Sequence, residues 1–473
     1  MRRRVLVAGA GVSGRSAAEA LLAEGAVVTV TDASADRLAT LEPLRSRGAE
    51  LVAGLTEPPH GTDLVVTSPG WRPDAPLLAA AAQDGIEVIG EIELAWRFDR
   101  DSPEPATWLA VTGTNGKTTT VGMLESILRS AGLDAVACGN VGLPAIDAVR
   151  AGHRVLAVEL SSFQLHWSNT LAPHAAVVLN LADDHLDWHG SLAAYGAAKG
   201  RIYDRAAVVV FNADDAWSTH LANARGDHRI ACTTAPPESG QIGIADGRLL
   251  DRTDCSDGTD DGAVLASLAD VHPPGPHNVT NALAATALAR ALGVRAEAVA
   301  RGLHAFEPGA HRSVVVAESA GVVYVDDSKA TNPHAAAAAL GAHPRVVWIA
   351  GGLLKGADVD ALVSAQVDRL DAAVLIGQDR DRFAAALARH APEVPVREVD
   401  PGEAGATGEA AMVSAVGLAA EFARPGTAVV LAPAAASMDM FTDYAHRGRA
   451  FADAVRTVVV RDQVAEAAGG QGG

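Results

Sequence analysis

The stretch WLAVTGTNGKTTTVGM, residues 108–123, indicates how the chain folds around it. Residues 108–111 are apolar and predict a strand, a glycine-rich turn follows, and residues 121–130 have the pattern of an amphipathic helix. This order is typical of a phosphate-binding loop, where backbone N–H groups and a helix N-terminus attract an anion. Lys117 would then reach the terminal phosphates and Thr118 would ligate Mg²⁺. The general pattern has a glycine five positions before Gly116, where this chain has a valine, so an incidental glycine-rich turn is the alternative.

The length and net charge of the chain limit the classes of function that it can have. The 473 residues predict about three domains, and the formal net charge of −19 argues against nucleic-acid or membrane-surface binding. No apolar run is long enough to span a membrane, and the apolar stretch after the first residues is too short for a signal peptide, so we expect a cytoplasmic enzyme. Cys138, Cys232 and Cys255 have neither metal-site nor disulfide-framework spacing.

Lysine is rare in this chain. Four of the 38 basic residues are lysines, namely Lys117, Lys199, Lys329 and Lys355, and the rest are arginines. Codon bias with four random survivors is one explanation. The other is that these positions require a compact ammonium group, or an amine that can lose its proton, which arginine cannot supply.

Residues 4–32 predict a strand, a glycine-rich turn, a helix and a second strand. The turn has the GxGxxG pattern of Gly9, Gly11 and Gly14, and Asp32 ends the second strand, as in a Rossmann fingerprint. Such a turn can hold any diphosphate, so an NAD-dependent oxidoreductase is a competing interpretation that UDP binding would exclude. The charged, proline-containing segment 99–106 predicts a domain boundary near residue 102.

The second domain places polar groups at strand ends. Glu159 ends a predicted strand at 155–160, and His185 follows another at 177–181, which suggests Mg²⁺ ligands at one sheet edge. A solvated carboxylate and a surface histidine are the alternatives. Asn278 and Asn281 begin a predicted helix, where they would read an adenine edge or simply cap the helix.

The remainder predicts a further doubly wound domain. Strands at 322–325, 346–350, 374–377 and 428–431 each lead into a turn, and we expect a disordered tail after about residue 462. Residues 234–263 predict a polar edge of the second domain without catalytic groups.

Together these stretches resemble the Mur ligase family of ATP-dependent amide-bond-forming enzymes. The motifs that carry the resemblance are TGTNGKTTT at 112–120, ELSSFQL at 159–165, AAK ending at 199, HNVTN at 277–281, DDSKATNP at 326–333 and GGLLKGAD at 351–358. The resemblance implies an α/β chain of three domains: a Rossmann-like UDP-precursor domain (1–101), a central P-loop ATPase with a mainly parallel sheet (102–306), and a Rossmann-like C-terminal domain (307–473) that brings the amino acid and closes over the site.

Within the family, four stretches are most similar to the members that add D-glutamate to UDP-N-acetylmuramoyl-L-alanine in peptidoglycan precursor synthesis: GAGVSG with Asp32, TSPG at 67–70, GEIEL at 90–94 and APAAASMDMFTDYAHRG at 432–448. The implied reaction is phosphorylation of the precursor carboxylate by ATP, followed by attack of the D-glutamate amine on the acyl phosphate. A sister ligase that adds a different amino acid is the alternative.

The resemblance also implies roles for individual residues. Lys117, Glu159, His185 and Lys199 are expected to be catalytic, and Thr118, Glu159, His185 and Lys199 to serve two Mg²⁺ sites, with Lys199 as a CO₂-derived carbamate. The remaining expectations are ATP contacts from Gly113, Thr114, Asn115, Gly116, Lys117, Thr118, Thr119, Asn278, Asn281, Arg312 and Asp327; precursor contacts from Gly11, Val12, Ser13, Asp32, Ser68 and Asn140; and D-glutamate contacts from Lys329, Thr331, Lys355, Ser437 and Tyr444. We expect a monomer with small-molecule partners, without nucleic acid or membrane insertion.

Overall fold

A computed structural model describes residues 3–223, 225–253, 262–399 and 408–469. The described chain forms two compact units, one of residues 1–272 with 278–306 and one of residues 273–277 with 307–473. The first unit contains two of the three sheets and the second contains the third. No helix in these ranges has the length and apolar character needed to cross a bilayer. The three sheets, each with its own helices, match the three α/β domains predicted from the sequence, and the first two of them share one compact unit.

The first sheet has the strand order of a Rossmann fold. Its five described strands are parallel and run in the order β3-β2-β1-β4-β5. The central strands β1 and β4 are short apolar runs that are buried on both faces, as expected for a parallel sheet between layers of helices. The strands are β1 (Arg4–Ala8), β2 (Val27–Asp32), β3 (Glu50–Ala53), β4 (Leu64–Thr67) and β5 (Glu87–Gly90), and the helices are α1 (Val12–Ala23), α2 (Ala35–Ala39), α3 (Pro76–Gln83) and α4 (Glu91–Arg100).

The second sheet is mainly parallel, as predicted. Nine strands of the described chain run in the order β14-β13-β12-β11-β10-β9-β6-β8-β7, and only the β12-β13-β14 edge is antiparallel. Its strands are β6 (Thr107–Thr112), β7 (Ala135–Gly139), β8 (Val155–Glu159), β9 (Ala175–Val178), β10 (Val208–Asn212), β11 (His228–Cys232), β12 (Gln241–Ala245), β13 (Arg248–Asp251) and β14 (Ala263–Ser267). Its helices are α5 (Lys117–Ser130), α6 (Ala145–Arg150), α7 (Ser162–His166), α8 (Leu186–His189), α9 (Leu192–Gly200), α10 (Ala216–Asn223), α11 (Pro276–Ala291) and α12 (Ala296–Ala305).

Strand register in this sheet places the phosphate loop beside the polar strand ends. Strand β6 lies between β8 and β9, with Val111 opposite Glu159 and Thr112 opposite Val178. All three strands are parallel, so their carboxyl ends meet at one edge. The loop after β6 therefore lies beside Glu159 and beside the residues that follow β9.

Buried polar contacts join the first two sheets within their compact unit. Glu93 of α4 is fully buried and accepts hydrogen bonds from the backbone N–H groups of Asn169 and Thr170 at 2.8 and 2.9 Å. Asp99, in the predicted linker, is also buried and accepts a 2.8 Å hydrogen bond from the Trp108 indole. The linker thus fixes the start of β6, and the boundary near residue 102 stays a prediction.

The third sheet belongs to the second compact unit. Among its described strands the order is β15-β16-β20-β17-β18-β19, and only the β15–β16 pairing is antiparallel. The strands are β15 (Val314–Ser319), β16 (Val322–Asp326), β17 (Val346–Gly351), β18 (Leu370–Ile376), β19 (Val396–Glu398) and β20 (Ala428–Leu431), and the helices are α13 (Pro333–Gly341), α14 (Asp360–Gln366), α15 (Arg380–His390), α16 (Gly408–Phe422) and α17 (Tyr444–Gly469).

Helix α17 continues to Gly469, so the structure carries a helix over residues 463–469, where we expected the start of a disordered tail. Apolar residues through Val460 continue the helix, and Gly469 is the first glycine after Gly448. Cys255 and part of the predicted polar edge lie outside the described residues, as does the end of the tail.

Candidate active site

The loop between β6 and α5 has the geometry of an anion cradle. Gly113 and Gly116 have φ angles of +154° and +86°, which residues other than glycine rarely adopt. A Cβ atom at Gly116 would lie 2.3 Å from the Asn281 Oδ1 atom, so the backbone approaches that side chain closely. Helix α5 begins at Lys117, directly after this turn. Open backbone at a helix N-terminus fits the phosphate groups of a nucleotide.

The Lys117 side chain folds over the loop. Its Nζ atom donates to the carbonyl oxygens of Gly113 and Thr114 at 2.9 and 2.8 Å. These contacts hold the ammonium group against the loop backbone. Thr119, the third residue of the helix, is buried in the first turn.

Asn180 and Tyr195 contact the loop and hold it in place. The Asn180 side chain accepts from the Asn115 N–H at 2.9 Å and donates to the Asn115 carbonyl at 3.2 Å. The Thr114 hydroxyl lies 3.4 Å from the Tyr195 hydroxyl and accepts from the Ala182 N–H at 3.0 Å. The loop is therefore fixed by side chains from the segment after β9 and from α9.

Glu159 contacts two other predicted site residues. Its carboxylate is 3% exposed; it accepts from the Thr118 hydroxyl at 2.5 Å and from the Asn140 amide at 2.8 Å. The strand-end carboxylate is thus buried beside the loop, which excludes the alternative of a solvated surface group. Thr118 and Glu159 offer the hydroxyl and carboxylate oxygens that Mg²⁺ prefers.

Lys199 is buried against the same loop. Its side chain is 1% exposed, and Nζ donates to the Gly113 carbonyl at 2.7 Å and approaches the Thr112 hydroxyl at 3.4 Å. Burial, and then the charge of Lys117, lower the pKa of Lys199 well below its usual range. An amine with a lowered pKa is a nucleophile, which the carbamate expectation requires.

His185 lies among aromatic rings. It has a φ of +53° and its ring centre is 4.8 Å from that of Phe163 and 6.2 Å from that of Tyr195. Burial lowers the pKa of His185, with Asp184 acting in the opposite direction. The His185 side chain is 44% exposed, so its ring contacts leave the alternative of a surface histidine open.

Within the described residues, no group of three or more His, Cys, Asp or Glu side chains is placed to hold a metal ion. The protein therefore offers partial sites, centred on Thr118 and Glu159, rather than a closed cage. Mg²⁺ ordinarily binds through one or two carboxylates together with phosphate oxygens and water. The donor set fits that pattern, and Thr118 and Glu159 would hold the ion.

Asn278 and Asn281 are buried inside helix α11. The helix begins at Pro276, so Asn278 lies in the first turn, Asn281 lies in the second, and neither is the N-cap residue. The Asn281 amide donates to the Asn278 Oδ1 atom at 3.3 Å, and its own Oδ1 faces Gly116. Asn281 thus lies against the phosphate loop, and the adenine contact of the pair stays a prediction.

The N-terminal glycine-rich turn is packed as a Rossmann loop. A Cβ atom at Gly14 would lie 1.8 Å from the Gly9 carbonyl oxygen, and one at Gly9 would lie 2.3 Å from the Ser68 Oγ. The Ser68 hydroxyl is buried and has no hydrogen-bond partner within the described chain. An unpartnered hydroxyl beside open backbone fits a diphosphate ligand.

The other predicted precursor residues surround this turn. The Asp32 carboxylate accepts from the Ala10 N–H of the turn at 2.9 Å and from the Ser34 N–H, in the segment after β2, at 2.8 Å. Gly11 and Val12 are exposed and Ser13 is partly buried at the start of α1. Their contacts with a ligand stay predictions.

The second unit gathers the predicted amino-acid residues. The Lys329 Nζ atom lies 3.8 Å from the centre of the Tyr444 ring, Ser437 is buried, and Lys355 is exposed with a φ of +50°. The Thr331 N–H donates to the Lys329 carbonyl at 2.8 Å. The two lysines are thus placed differently, one over an aromatic ring and one on a solvent-exposed turn.

Asp327 directly follows β16 in the same unit. Burial raises its pKa to about 7, while hydrogen bonding from Ser313 and the charge of Arg312 act in the opposite direction. The Ser313 hydroxyl donates to the Asp327 carboxylate at 2.9 Å. The charge of Arg312 therefore acts on the Asp327 carboxyl group. Both residues are predicted ATP contacts of this unit.

Family models match all three domains of the chain. Residues 3–90 match the MurD-like N-terminal domain of Mur ligases, residues 111–289 match the Mur ligase middle domain, and residues 311–435 match the glutamate ligase domain of Mur ligases. The UDP-N-acetylmuramoylalanine–D-glutamate ligase of Thermobifida fusca is 53% identical over 466 residues, covering 96% of this chain and 98% of that protein. The ligase of the same name from Streptomyces coelicolor is 52% identical with the same coverage.

The chain belongs to the Mur ligase family. Solved Mur ligase structures share the fold at low identity. MurF from Acinetobacter baumannii superposes with a TM-score of 0.60 at 19% identity, covering 91% of this chain and 90% of that one. MurC from Thermotoga maritima gives 0.57 at 18% identity, covering 97% and 100%.

Sequence analysis of this Mur ligase missed residues that act through others. Asn180 and Tyr195 hold the phosphate loop, and Arg447 is a buried arginine of the second unit. Asn180 lies directly after an apolar strand, which is a usable signal. Tyr195 and Arg447 lie in helices whose sequence pattern does not show which face meets the site.

Proposed function

We propose that this chain joins D-glutamate to UDP-N-acetylmuramoyl-L-alanine with ATP, forming an amide bond and releasing ADP and phosphate. The observation that carries the proposal is identity above 50% over nearly the full length to ligases named for this reaction. The phosphate loop, the buried Glu159 and the buried Lys199 support it, because they meet at the edge where ATP would bind.

The first step is transfer of the γ-phosphoryl group to the precursor carboxylate. Loop N–H groups and Lys117 would bind the phosphates, and Thr118 and Glu159 would hold a Mg²⁺ ion. Bound Mg²⁺ supplies positive charge that neutralises the phosphate oxygens. Phosphoryl transfer needs alignment and charge neutralisation more than covalent help, which fits a site built from backbone amides, a lysine and oxygen ligands.

The amine of D-glutamate then attacks the acyl phosphate, and inorganic phosphate leaves from the tetrahedral intermediate. Lys329, Thr331, Lys355, Ser437 and Tyr444 form the proposed amino-acid pocket. D-glutamate carries two carboxylates, so a pocket with two lysines matches its charge. The proposed precursor contacts are Gly11, Val12, Ser13, Asp32, Ser68 and Asn140. The remaining proposed ATP contacts are Asn278, Asn281, Arg312 and Asp327.

Lys199 acts as a carbamate in this proposal, and a second Mg²⁺ is served by this group and His185. The neutral amine would add to CO₂ with loss of a proton, and the product offers an anionic oxygen where an ammonium group would repel a cation. The family resemblance carries this step, and the burial of Lys199 beside the loop supports it. We also propose that the enzyme is monomeric and cytoplasmic.

The test is phosphate release from ATP in the presence of the precursor, with D-glutamate, L-glutamate, L-alanine or diaminopimelate as the acceptor. We expect release with D-glutamate alone, together with an amide product of the matching mass. Release with a different acceptor would make the chain a sister ligase, and no release with any acceptor would contradict the proposed activity.

A matched pair of variants ties the activity to the loop. Lys117→Ala should abolish release because the ammonium group that binds the phosphates is lost. Arg129→Ala, an exposed change on the same helix, should leave it unchanged. Equal phosphate release by both variants would show that Lys117 does not bind the phosphates.

A further inference from the structure

Arg447, on the first turn of α17, lies at the centre of a hydrogen-bond network in the second unit. Its side chain is 1% exposed. The Nε atom donates to the Ser328 hydroxyl at 3.0 Å and Nη2 to the Ser328 carbonyl at 2.9 Å. Nη1 donates to the Ala435 carbonyl at 3.1 Å and to the Gly351 carbonyl at 3.4 Å. One guanidinium group thus reaches three separate turns.

These turns follow three neighbouring strands. Ser328 follows β16, Gly351 ends β17 and Ala435 follows β20, and the sheet order places β20 between the other two. Each turn also carries a residue of the proposed amino-acid pocket. Lys329 is next to Ser328, Ser437 is two residues after Ala435, and Lys355 is four residues after Gly351.

The neighbours of Arg447 strengthen this arrangement. The Ser328 hydroxyl, which accepts from Arg447, donates to the Tyr444 carbonyl at 2.8 Å, and the Tyr444 ring contacts the Lys329 ammonium group. A Cβ atom at Gly448 would lie 2.1 Å from the His311 Nδ1 atom, so helix α17 packs tightly at this point. The helix start and the pocket turns are therefore held as one piece.

Arg447 is held by carbonyl and hydroxyl oxygens rather than by a carboxylate. Among the ion pairs of the described chain, none includes this residue. A buried cation requires good hydrogen-bond geometry from its partners, since it has lost its hydration. Moving any of the three turns would leave part of the guanidinium group unsatisfied, so the side chain restrains their spacing.

We propose that Arg447 is a positioning residue that sets the distances among Lys329, Lys355 and Ser437, and thereby the affinity for the incoming amino acid. The proposal rests on the assignment of those three residues to the D-glutamate pocket. Arg447 does not itself contact the substrate in this proposal. Loss of the Arg447 side chain should therefore weaken the affinity for D-glutamate and leave the affinities for ATP and the precursor unchanged.

The test compares Arg447→Lys with Arg449→Lys, an exposed change on the same helix. Lysine keeps the charge but cannot bridge three turns, because its three donors radiate from one atom. We expect the KM for D-glutamate to rise about tenfold or more in Arg447→Lys, with the KM values for ATP and precursor within about twofold, as for loss of an interaction confined to one substrate. Arg449→Lys should match the parent enzyme. Equal increases in all three KM values would indicate general disruption and overturn the proposal.

Ser328→Ala provides a second, gentler variant. It removes the hydroxyl that accepts from Arg447 and donates to Tyr444 but leaves the carbonyl contact. We expect the KM for D-glutamate to rise about threefold to tenfold, since one hydrogen bond to a charged group is lost. An unchanged KM would overturn the proposal, and this variant decides the question if Arg447→Lys fails to fold.

Lys355→Ala distinguishes the positioning role of Arg447 from the assignment of the D-glutamate pocket. If it raises the KM for D-glutamate while Arg447→Lys and Ser328→Ala do not, the positioning role is wrong and the pocket stands. If none of the three raises it, the pocket assignment is wrong as well.

Discussion

At the scale of single residues, Lys199 shows how burial prepares a group for chemistry. Water is excluded from its side chain, and Lys117 is among the charges that lower its pKa. A lysine that served only as a positive charge would lie in surroundings that keep its pKa high. Here the surroundings favour the neutral amine, which is the form that reacts with CO₂.

Lys199→Ala and Lys199→Arg should both lose turnover, by at least about a hundredfold if the carbamate is a metal ligand. Small carboxylates such as acetate or formate should partly restore Lys199→Ala, because they can occupy the space of the missing carbamate. They should not restore Lys199→Arg, whose side chain fills that space. Carbon-13 NMR of the parent enzyme in labelled bicarbonate should show a carbamate signal that Lys199→Arg lacks. Rescue of the arginine variant would contradict this role.

Gly116 offers a second prediction at this scale. In Gly116→Ala the new Cβ would meet the Asn281 side chain at 2.3 Å, in addition to the cost of about 1–2 kcal/mol for a side chain at positive φ. Gly132→Ala is a matched control, since Gly132 has a φ of +81° but open space around its Cβ position. Both variants should lower the melting temperature, whereas only Gly116→Ala should raise the KM for ATP, by about tenfold or more for loss of loop geometry. Equal KM values would show that the close approach to Asn281 is irrelevant to nucleotide binding.

At the scale of elements, a buried carboxylate connects two helices. Glu91, the first residue of α4, accepts a 2.8 Å hydrogen bond from the Ile146 N–H at the start of α6. Burial raises the pKa of Glu91 to about 7, with the nearby Asp147 acting in the same direction and the backbone hydrogen bonds against it. The folded protein therefore holds this proton more tightly than the unfolded chain does.

This linkage predicts a pH-dependent stability. The contribution of Glu91 is fully present below its ordinary pKa of 4.5 and is lost as the pH rises toward 7, up to about 3 kcal/mol in free energy of unfolding. Glu91→Gln keeps an acceptor for Ile146 but does not titrate, so thermal unfolding between pH 5 and pH 8 should depend less on pH than in the parent. Glu104→Gln, an exposed change, should retain the parent profile. Identical profiles for Glu91→Gln and the parent would show that Glu91 is not the titrating group.

The sequence predicted the elements well where the pattern is local. The predicted strand at 428–431 matches β20, and the predicted strand at 322–325 matches β16 to within one residue, because an apolar run between turn residues specifies a buried parallel strand. Helix α5 begins at Lys117 rather than at 121, since the polar threonines before the apolar stripe form its first turn. The brace formed by Asn180 and Tyr195 depends on which strands become neighbours, which local pattern does not specify.

At the scale of the whole molecule, the candidate residues fall into two compact units. The phosphate loop and the precursor turn belong to the first unit, and the amino-acid pocket belongs to the second. The sequence indicated three domains because composition and motif order change along the chain. It did not indicate that Glu93 and Asp99 would join the first two domains, because buried carboxylates of this kind resemble surface charges in a helix pattern.

This division predicts that substrate affinities can be changed separately. Lys355→Ala should raise the KM for D-glutamate about tenfold to a hundredfold, the effect of losing a charge-assisted contact of about 1.5–3 kcal/mol. Precursor should still raise the melting temperature as it does in the parent, since its proposed site lies wholly in the first unit and ligand binding stabilises the folded state by mass action. Arg397→Ala, on the edge strand β19 of the second unit, is the matched surface control for both measurements. A lost precursor effect with an unchanged KM for D-glutamate would reverse the assignment, because Lys355 would then serve the precursor rather than the amino acid.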